Sequence, residues 1–277
     1  MEPEIIRWMQ QLSPRIEGAL EADLPLAGNA AGDLDAAVRH AVFSGGKRMR
    51  PVLALAAARL AGCPDSVSLR IGSAVEYLHT ASLILDDLPC MDDAAQRRGR
   101  ETTHKRFGQG VAVLAALALM NQTYHILAQL PNGAALVRLA GECIGHAGMV
   151  AGQAIDLQAG RDIRDASHYR KTTALLRLSM EAPALACGAD VAARRALAEY
   201  ARCAGTAYQL VDDANDLAED GAIDGAAQLC DRAAAWVARA KLALSRRFGL
   251  HDETAHLCGF ADWLLAGAQR HAAARAQ

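Results

Sequence analysis

Apolar residues recur at three- and four-residue spacing along nearly the whole chain, which is the period of an amphipathic helix. The pattern breaks at clusters of glycine, proline and aspartate at 27–33, 62–65, 131–133 and 162–167. It predicts about ten helices. Two of them, roughly 65–88 and 191–218, are apolar on most of their circumference, as expected for helices in the centre of a bundle.

Composition supports an all-α chain of one domain spanning 1–277. Alanine and leucine, which favour helix, supply much of the 52% hydrophobic fraction, whereas aromatic residues make up 4% and prolines number only 8. No segment rich in proline, glycine or serine divides the sequence, and no repeat of solenoid length is present. Each of the two central helices does, however, end in a cluster of aspartates.

The charge balance argues against a nucleic-acid partner. The 29 basic and 31 acidic side chains leave a net charge of −2, which does not favour a basic surface across the whole protein. Any basic site must therefore be local.

We expect a cytoplasmic protein without a membrane span. The N-terminal segment lacks the basic and apolar regions of a signal peptide. The longest apolar run, 111–120, is about half of what a membrane span requires. The seven cysteines are scattered and odd in number, which suits a reducing compartment.

The first aspartate cluster, at 86–93, places four carboxylates at the C-terminal end of an apolar helix, where the helix dipole disfavours anions. In the second, Asp212 and Asp216 are four residues apart and share a helical face. One interpretation is a solvated turn. The other is a site for Mg²⁺, which binds through one or two carboxylates together with substrate phosphates.

Basic residues lie close to these acids in sequence. The segment Gly45-Gly46-Lys47-Arg48-Met49-Arg50-Pro51 joins a glycine pair to three cations before a helix start, and Arg97 and Arg98 follow the first acidic cluster directly. His79 precedes Asp86 by two helical turns and shares its face. A solvated loop and a core histidine are the alternatives. Taken together, the pattern indicates a diphosphate site bridged by metal.

Five segments together resemble the trans-type isoprenyl diphosphate synthases, or polyprenyl synthetases, and most closely the bacterial geranylgeranyl diphosphate synthases. The similarity runs over about 35–218 and rests on GGKRMRP at 45–51, VEYLHTASLILDDLPCMDDAAQRRGRETTH at 75–104, GQAIDL at 152–157, KTTALL at 171–176 and YQLVDDAND at 208–216. The resemblance implies an all-α isoprenoid-synthase bundle around a central cavity, usually assembled as a homodimer.

The resemblance also implies the substrates and the roles of individual residues. The enzyme would use Mg²⁺ to condense isopentenyl diphosphate with an allylic diphosphate (dimethylallyl, geranyl or farnesyl), giving geranylgeranyl or farnesyl diphosphate. The implied catalytic residues are Asp86, Asp87, Asp92, Lys171, Asp212, Asp213 and Asp216, with Asp86, Asp92, Asp212 and Asp216 as metal ligands. Those around the allylic substrate are Arg97, Lys171, Thr172 and Gln209, and those around isopentenyl diphosphate are Lys47, Arg50, His79 and Arg98.

Product length would depend on the residues about one turn before Asp86. In the family, a bulky aromatic residue five positions before the first aspartate stops growth at the farnesyl stage. Here Ala81 and Ser82 are small and predict a longer product, geranylgeranyl diphosphate. The alternative is a cavity floor set by Leu117 or Met120 on the next long helix.

The chain departs from the family after the second aspartate cluster. The family normally continues with a lysine-bearing lid, whereas here an acidic stretch containing Glu219, Asp220 and Asp224 leads into another helix without a lysine until Lys241. A catalytically impaired regulatory subunit is therefore one alternative. A class I terpene cyclase is another, although Glu219 and Ile223 stand where its second metal motif needs a hydroxyl residue and an acid.

Overall fold

The computed structural model describes the backbone of residues 4–158, 164–219 and 221–275. These residues form twelve α-helices, one short 3₁₀ helix and one two-stranded hairpin. The helices are α1 Glu4–Ala22, α2 Gly32–Val42, α3 Met49–Leu60, α4 Asp65–Asp86, α5 Thr103–Phe107, α6 Gln109–Gln129, α7 Gly133–Ile144, α8 Met149–Gln158, α9 Arg164–Ala186, α10 Val191–Glu219, α11 Ile223–Phe248 and α12 Asp252–Arg275; the 3₁₀ helix is Gly28–Ala31, and the strands are β1 Gln96–Arg97 and β2 Arg100–Glu101. The all-α prediction is confirmed.

The two helices predicted to be central are α4 and α10, and both end at an aspartate cluster. Helix α4 packs against α3, α6 and α9, and α10 packs against α9, α11 and α12. Gly72 of α4 allows α3 to approach closely, since a Cβ there would lie 3.1 Å from the Cα of Pro51. The aspartates thus lie at the ends of helices that a packed core holds in place.

Two buried tyrosines tie the outer helices to these central ones. The Tyr77 hydroxyl of α4 donates to the carbonyl of Leu20 in α1 at 2.6 Å, and the Tyr200 hydroxyl of α10 donates to the carbonyl of Leu257 in α12 at 2.7 Å. Each buried hydroxyl is satisfied, so neither carries the cost of an unpaired polar group. The C-terminal helix α12 is therefore fixed against α10.

The cysteines differ from expectation. Cys63, between α3 and α4, forms a disulfide with Cys187, which follows α9. The bond joins residues 124 apart in sequence, and such spacing carries no signal of pairing. The other five cysteines are free. This disulfide departs from the reducing compartment that the scattered, odd-numbered cysteines suggested, and the cytoplasmic location stays a prediction.

Helix α6 is long and apolar enough to cross a membrane by length and composition, the single such helix among the described residues. This is weak evidence, because a core helix of a globular protein passes the same test. One side of α6 does pack into the core, through Ala112, Ala116 and Leu119. The opposite side exposes Leu114 and Leu117.

Candidate active site

A cavity of about 780 Å³ opens between helices α3, α4, α9, α10 and α12. Most of the predicted site residues line it: Lys47, Arg50, His79, Ser82, Asp86, Arg97, Arg98, Thr172, Gln209 and Asp212. The structure therefore brings together in one cavity residues that lie up to 165 positions apart in sequence (212 − 47).

The three cations of the segment 45–51, at the start of α3, face different surroundings. Arg48 adopts a left-handed conformation with φ 48° and turns inward, where it binds Glu17 at 2.7 Å and Glu76 at 3.0 Å. Lys47 and Arg50 line the cavity, and no described carboxylate forms an ion pair with either. The buried Nε of Arg50 also has no hydrogen-bond partner among the described residues. Two positive charges are thus available to a bound anion.

Arg98 joins this basic wall from a tight hairpin. Arg98 and Gly99 form the turn between β1 and β2 and both have positive φ, 54° and 74°, as a two-residue hairpin turn requires. The Arg98 guanidinium donates to the carbonyl of Gly45. Gly46 has a φ of 137°, which other residues rarely adopt, and a Cβ there would lie 2.6 Å from Arg98 Nη1, so the guanidinium would have to move. The glycine pair therefore allows Arg98 to reach the same wall as Lys47.

The first aspartate cluster is divided between the cavity and a salt bridge. Asp86, the last residue of α4, is 7% exposed and lines the cavity. Asp87 is also buried, and it pairs with Arg97, whose Nη2 lies 2.7 Å from Oδ1. Asp92 is exposed and does not line the cavity. Arg97 thus neutralises one carboxylate of the cluster while Asp86 faces the cavity.

The opposite wall comes from α9 and α10. Thr172 Oγ1 lies 3.4 Å from Gln209 Oε1, and Gln209 Nε2 donates to Asp213 Oδ1 at 3.2 Å. Asp212 lines the cavity, whereas Asp216, one turn later, is exposed and does not. This hydrogen-bond chain holds the predicted allylic residues in one connected group.

The donor set fits a divalent cation only in combination with a ligand. Asp86 and Asp212 supply hard carboxylate oxygens from two helices around one cavity. Among the described residues, no three acidic, histidine or cysteine side chains lie close enough to hold a metal on their own. Mg²⁺ commonly keeps water and phosphate oxygens in its coordination sphere, so two facing carboxylates suit a metal that arrives with a diphosphate.

Among the groups on the cavity wall, His79 and Tyr208 have pKa values that favour their uncharged forms. Burial, together with the positive charges of Arg50 and Arg98, holds the pKa of His79 well below its ordinary value, so the imidazole is neutral near pH 7. Burial and the negative charge of Asp212 raise the pKa of the Tyr208 phenol. Both groups therefore act as uncharged hydrogen-bonding partners in the cavity.

The acidic stretch that replaces the family's lysine-bearing lid forms a very short connection after α10. Helix α10 ends at Glu219 and α11 begins at Ile223. The two helices pack extensively against each other. Lys241, the next lysine, pairs with Asp262 of α12 and does not line the cavity. The side chains of Lys171 and Glu219, and the whole of Asp220, lie outside the described residues. Within the part that is described, this connection contributes no cation to the cavity.

The structure separates the two predicted chain-length residues. Ser82 shares the face of His79 and Asp86 and lines the cavity. Ala81 is 1% exposed, packs in the core and is not part of the cavity wall. Leu117, the alternative residue for the cavity floor, is 55% exposed on α6 and does not line this cavity. Met120 likewise does not line the cavity.

Several cavity residues carried no clear signal in the sequence. Tyr208 lies four residues before Asp212, and that spacing on one helical face could have indicated it. Phe260 and Leu264 of α12 also line the cavity, beyond the last recognised motif. Nothing in their local sequence distinguishes them from ordinary core residues.

The chain matches the family model described as "Polyprenyl synthetase" over residues 32–233. Among curated proteins, it is 37% identical over 228 residues to geranylgeranyl pyrophosphate synthase 11, chloroplastic, of Arabidopsis thaliana. This alignment covers 76% of this chain and 63% of that protein. It is 39% identical over 236 residues to a probable farnesyl diphosphate synthase of Sinorhizobium fredii, covering 80% of this chain and 70% of that one. The chain thus spans less than two thirds of the Arabidopsis relative.

Solved structures show the same architecture. An FPP/GFPP synthase from Zymomonas mobilis superimposes with a TM-score of 0.84 and 32% identity, covering 95% of this chain and 99% of that one. A geranyltransferase from Legionella pneumophila gives a TM-score of 0.83 at 29% identity, covering 94% and 96%. The cavity described above therefore lies within a fold that these proteins share.

Proposed function

Because the chain belongs to the polyprenyl synthetase family, we propose that it is a short-chain prenyltransferase that joins isopentenyl diphosphate head-to-tail to an allylic diphosphate. The observation that carries this proposal is the division of one cavity into two kinds of wall. Asp86 and Asp212 present carboxylates from two helices, and Lys47, Arg50 and Arg98 form a separate basic group. Such a cavity suits two diphosphates bound side by side.

The chain's own residues would bind and orient both reactants. Lys47, Arg50 and Arg98 would bind the diphosphate of isopentenyl diphosphate, while Thr172 and Gln209 lie on the allylic side. Fixing two reactants in one cavity supplies the orientation that a bimolecular condensation lacks in water. Mg²⁺ held by Asp86 and Asp212 together with substrate phosphates would stabilise the departing diphosphate electrostatically.

The apolar part of the wall would protect the reaction. Ionisation of the allylic C–O bond would give a delocalised carbocation and release the diphosphate. The double bond of isopentenyl diphosphate would attack the cation, and the departing diphosphate would then accept the proton that is lost. Water would convert the same cation to an alcohol. Leu175, Leu176 and Phe260 line the cavity and are nearly fully buried, so this region excludes water. The condensation needs no protein nucleophile.

We propose geranylgeranyl diphosphate as the main product and farnesyl diphosphate as the next shorter one. Ser82 is the small residue of α4 that faces the cavity, and its hydroxyl donates to the carbonyl of His79 at 2.8 Å. A side chain tucked back onto its own helix leaves room for a longer hydrocarbon tail.

We also propose a homodimer, the assembly that the family resemblance implies. The exposed apolar side chains of Val113, Leu114 and Leu117 on α6 support this proposal, because they are 38%, 54% and 55% exposed and adjacent on one helical face. Light scattering of the wild-type protein and of a Leu114→Lys, Leu117→Lys variant tests it. A monomeric wild-type protein would contradict it.

The test of the proposed activity is incubation of the purified chain with Mg²⁺, isopentenyl diphosphate and, in separate reactions, dimethylallyl, geranyl and farnesyl diphosphate. Products are identified by liquid chromatography with mass spectrometry. We expect geranylgeranyl diphosphate from all three primers and no product in excess chelator. Formation of a cyclised hydrocarbon, or of no condensation product, would contradict the proposal. The relatives and solved neighbours given above are named as synthases or as a geranyltransferase, and none is named as a regulatory subunit or a terpene cyclase.

A further inference from the structure

We propose that Trp263, in the C-terminal helix, is a positioning residue that holds the Lys47 ammonium at the rim of the cavity. The Lys47 Nζ lies 4.7 Å from the centroid of the Trp263 ring, which is within the range of a cation–π interaction. This inference rests on the proposed function, since it concerns how Lys47 is presented to a diphosphate. Trp263 lies in α12, after the last recognised sequence motif at 208–216.

Lys47 needs an external support. It follows the glycine pair Gly45 and Gly46, both with positive φ, and its side chain is exposed. No described carboxylate forms an ion pair with it. An exposed lysine side chain loses considerable rotamer entropy when it binds a phosphate. A surface that already holds the ammonium near its working position reduces that loss.

Trp263 is itself firmly held. It is 8% exposed, and its ring lies 5.8 Å from that of Phe260, which lines the cavity. The preceding residue, Asp262, forms an ion pair with Lys241 of α11. The carbonyl of Leu257, six residues before Trp263, accepts the buried hydrogen bond from Tyr200 of α10. The indole face under Lys47 is therefore a fixed part of the bundle.

The contact is compatible with phosphate binding. The indole covers one side of the ammonium, and an ammonium carries three N–H donors. A diphosphate approaching from the cavity can accept from a donor that points away from the ring. Unlike a carboxylate partner, the aromatic face attracts the cation without neutralising its charge.

The chain offers a matched control in Trp236. Its ring also stacks with cations, at 4.9 Å from Arg202 Cζ and 4.8 Å from Arg239 Cζ, but neither of these cations lines the cavity, whereas Lys47 does. Trp236→Leu therefore removes a similar cation–π contact elsewhere. Trp263→Phe keeps an aromatic face under Lys47, and Trp263→Leu removes it while keeping an apolar side chain.

The experiment measures kcat and KM for isopentenyl diphosphate and for the allylic substrate, and binding of inorganic pyrophosphate by calorimetry. We expect Trp263→Leu to raise the KM for isopentenyl diphosphate roughly three- to tenfold, in line with a cation–π contact, without changing kcat or the allylic KM. Trp263→Phe should recover most of the loss, and Trp236→Leu should resemble wild type. In a Lys47→Met background, Trp263→Leu should add no further increase.

Three results would overturn the inference: an unchanged KM in Trp263→Leu, an equal defect in Trp263→Phe and Trp263→Leu, or additive effects of Lys47→Met and Trp263→Leu. In each case an active wild-type enzyme would leave the proposed function intact. A wild-type protein that makes no condensation product but binds pyrophosphate would contradict the proposed function alone, and the binding comparison among the variants would then test Trp263. A wild-type protein that neither condenses the substrates nor binds pyrophosphate would overturn both.

Discussion

Arg48 and Glu76 form an ion pair with 3.0 Å between Nη1 and Oε1, in which each side chain is only 4% exposed. Arg48 also donates to the carbonyl of Val42 at 2.8 Å and binds Glu17. Its neighbours Lys47 and Arg50 instead line the cavity. One short basic segment therefore contains a structural cation flanked by two that are available to an anion.

This division predicts that substitutions at the adjacent residues Lys47 and Arg48 change the free energy of unfolding by very different amounts. Arg48→Met leaves the buried Glu76 without its partner and should lower the free energy of unfolding by about 3–5 kcal/mol. Lys47→Met removes an exposed cation and should change it by less than about 0.5 kcal/mol. Urea unfolding followed by circular dichroism measures both. Equal destabilisation by the two variants would show that the segment is not divided in this way.

The carboxylates that face each other across the cavity should be essential for turnover and dispensable for the fold. Asp86→Asn and Asp212→Asn each keep the side-chain size and remove one charge that would help bind Mg²⁺. We expect the condensation rate to fall by at least about a hundredfold, with unchanged helical content. Asp231→Asn, an exposed acid on α11 that does not line the cavity, is the control and should keep full activity.

Substitutions on the two walls of the cavity should affect the KM values of different substrates. Lys47→Ala removes a cation from the proposed isopentenyl diphosphate side, and the loss of a charge-assisted hydrogen bond should cost about 1.5–3 kcal/mol. The KM for isopentenyl diphosphate should rise and that for the allylic substrate should not. Gln209→Ala, on the other wall, should show the reverse preference. Equal effects on both substrates in both variants would contradict the two-wall arrangement.

The lowered pKa of His79 predicts a specific dependence of stability on pH. The folded protein keeps this imidazole neutral below its ordinary pKa of about 6.5, whereas the unfolded chain takes up a proton there. The unfolded state then binds more protons, so stability falls as pH decreases below about 6.5, by at most about 1.4 kcal/mol per pH unit for one group. His79→Gln should flatten this part of the profile in thermal melts between pH 7 and 5. An unchanged slope would show that His79 is not responsible.

Much of the site was predictable because helical periodicity connects sequence spacing to a common face. His79, Ser82 and Asp86 lie three and four residues apart and do line one cavity. Asp92 lies in the loop after α4 and Asp216 lies one turn beyond Asp212, so neither lines the cavity, and their roles as metal ligands stay predictions.

Other features depend on tertiary contacts that local sequence does not encode. Cys63 and Cys187 meet because α3 packs against α9, and Trp263 reaches Lys47 because α12 folds back against α3. Neither pair has a spacing that marks it. The rotation of α4 in the bundle turns the face shared by His79, Ser82 and Asp86 toward the cavity and Ala81 into the core.

That rotation leads to the last prediction, which concerns product length. Ser82→Phe should place an aromatic ring in the cavity one turn before Asp86 and shift the product from geranylgeranyl to farnesyl diphosphate or shorter. Ser82→Ala should leave the product unchanged, because it adds no volume. Ala81→Phe instead forces a large ring into a core position that is 1% exposed, so it should lower the melting temperature through overpacking, which typically costs about 1–3 kcal/mol. Product analysis by mass spectrometry, together with thermal melts, distinguishes these outcomes. If Ala81→Phe shortens the product and Ser82→Phe does not, the hydrocarbon tail lies along the other face of α4.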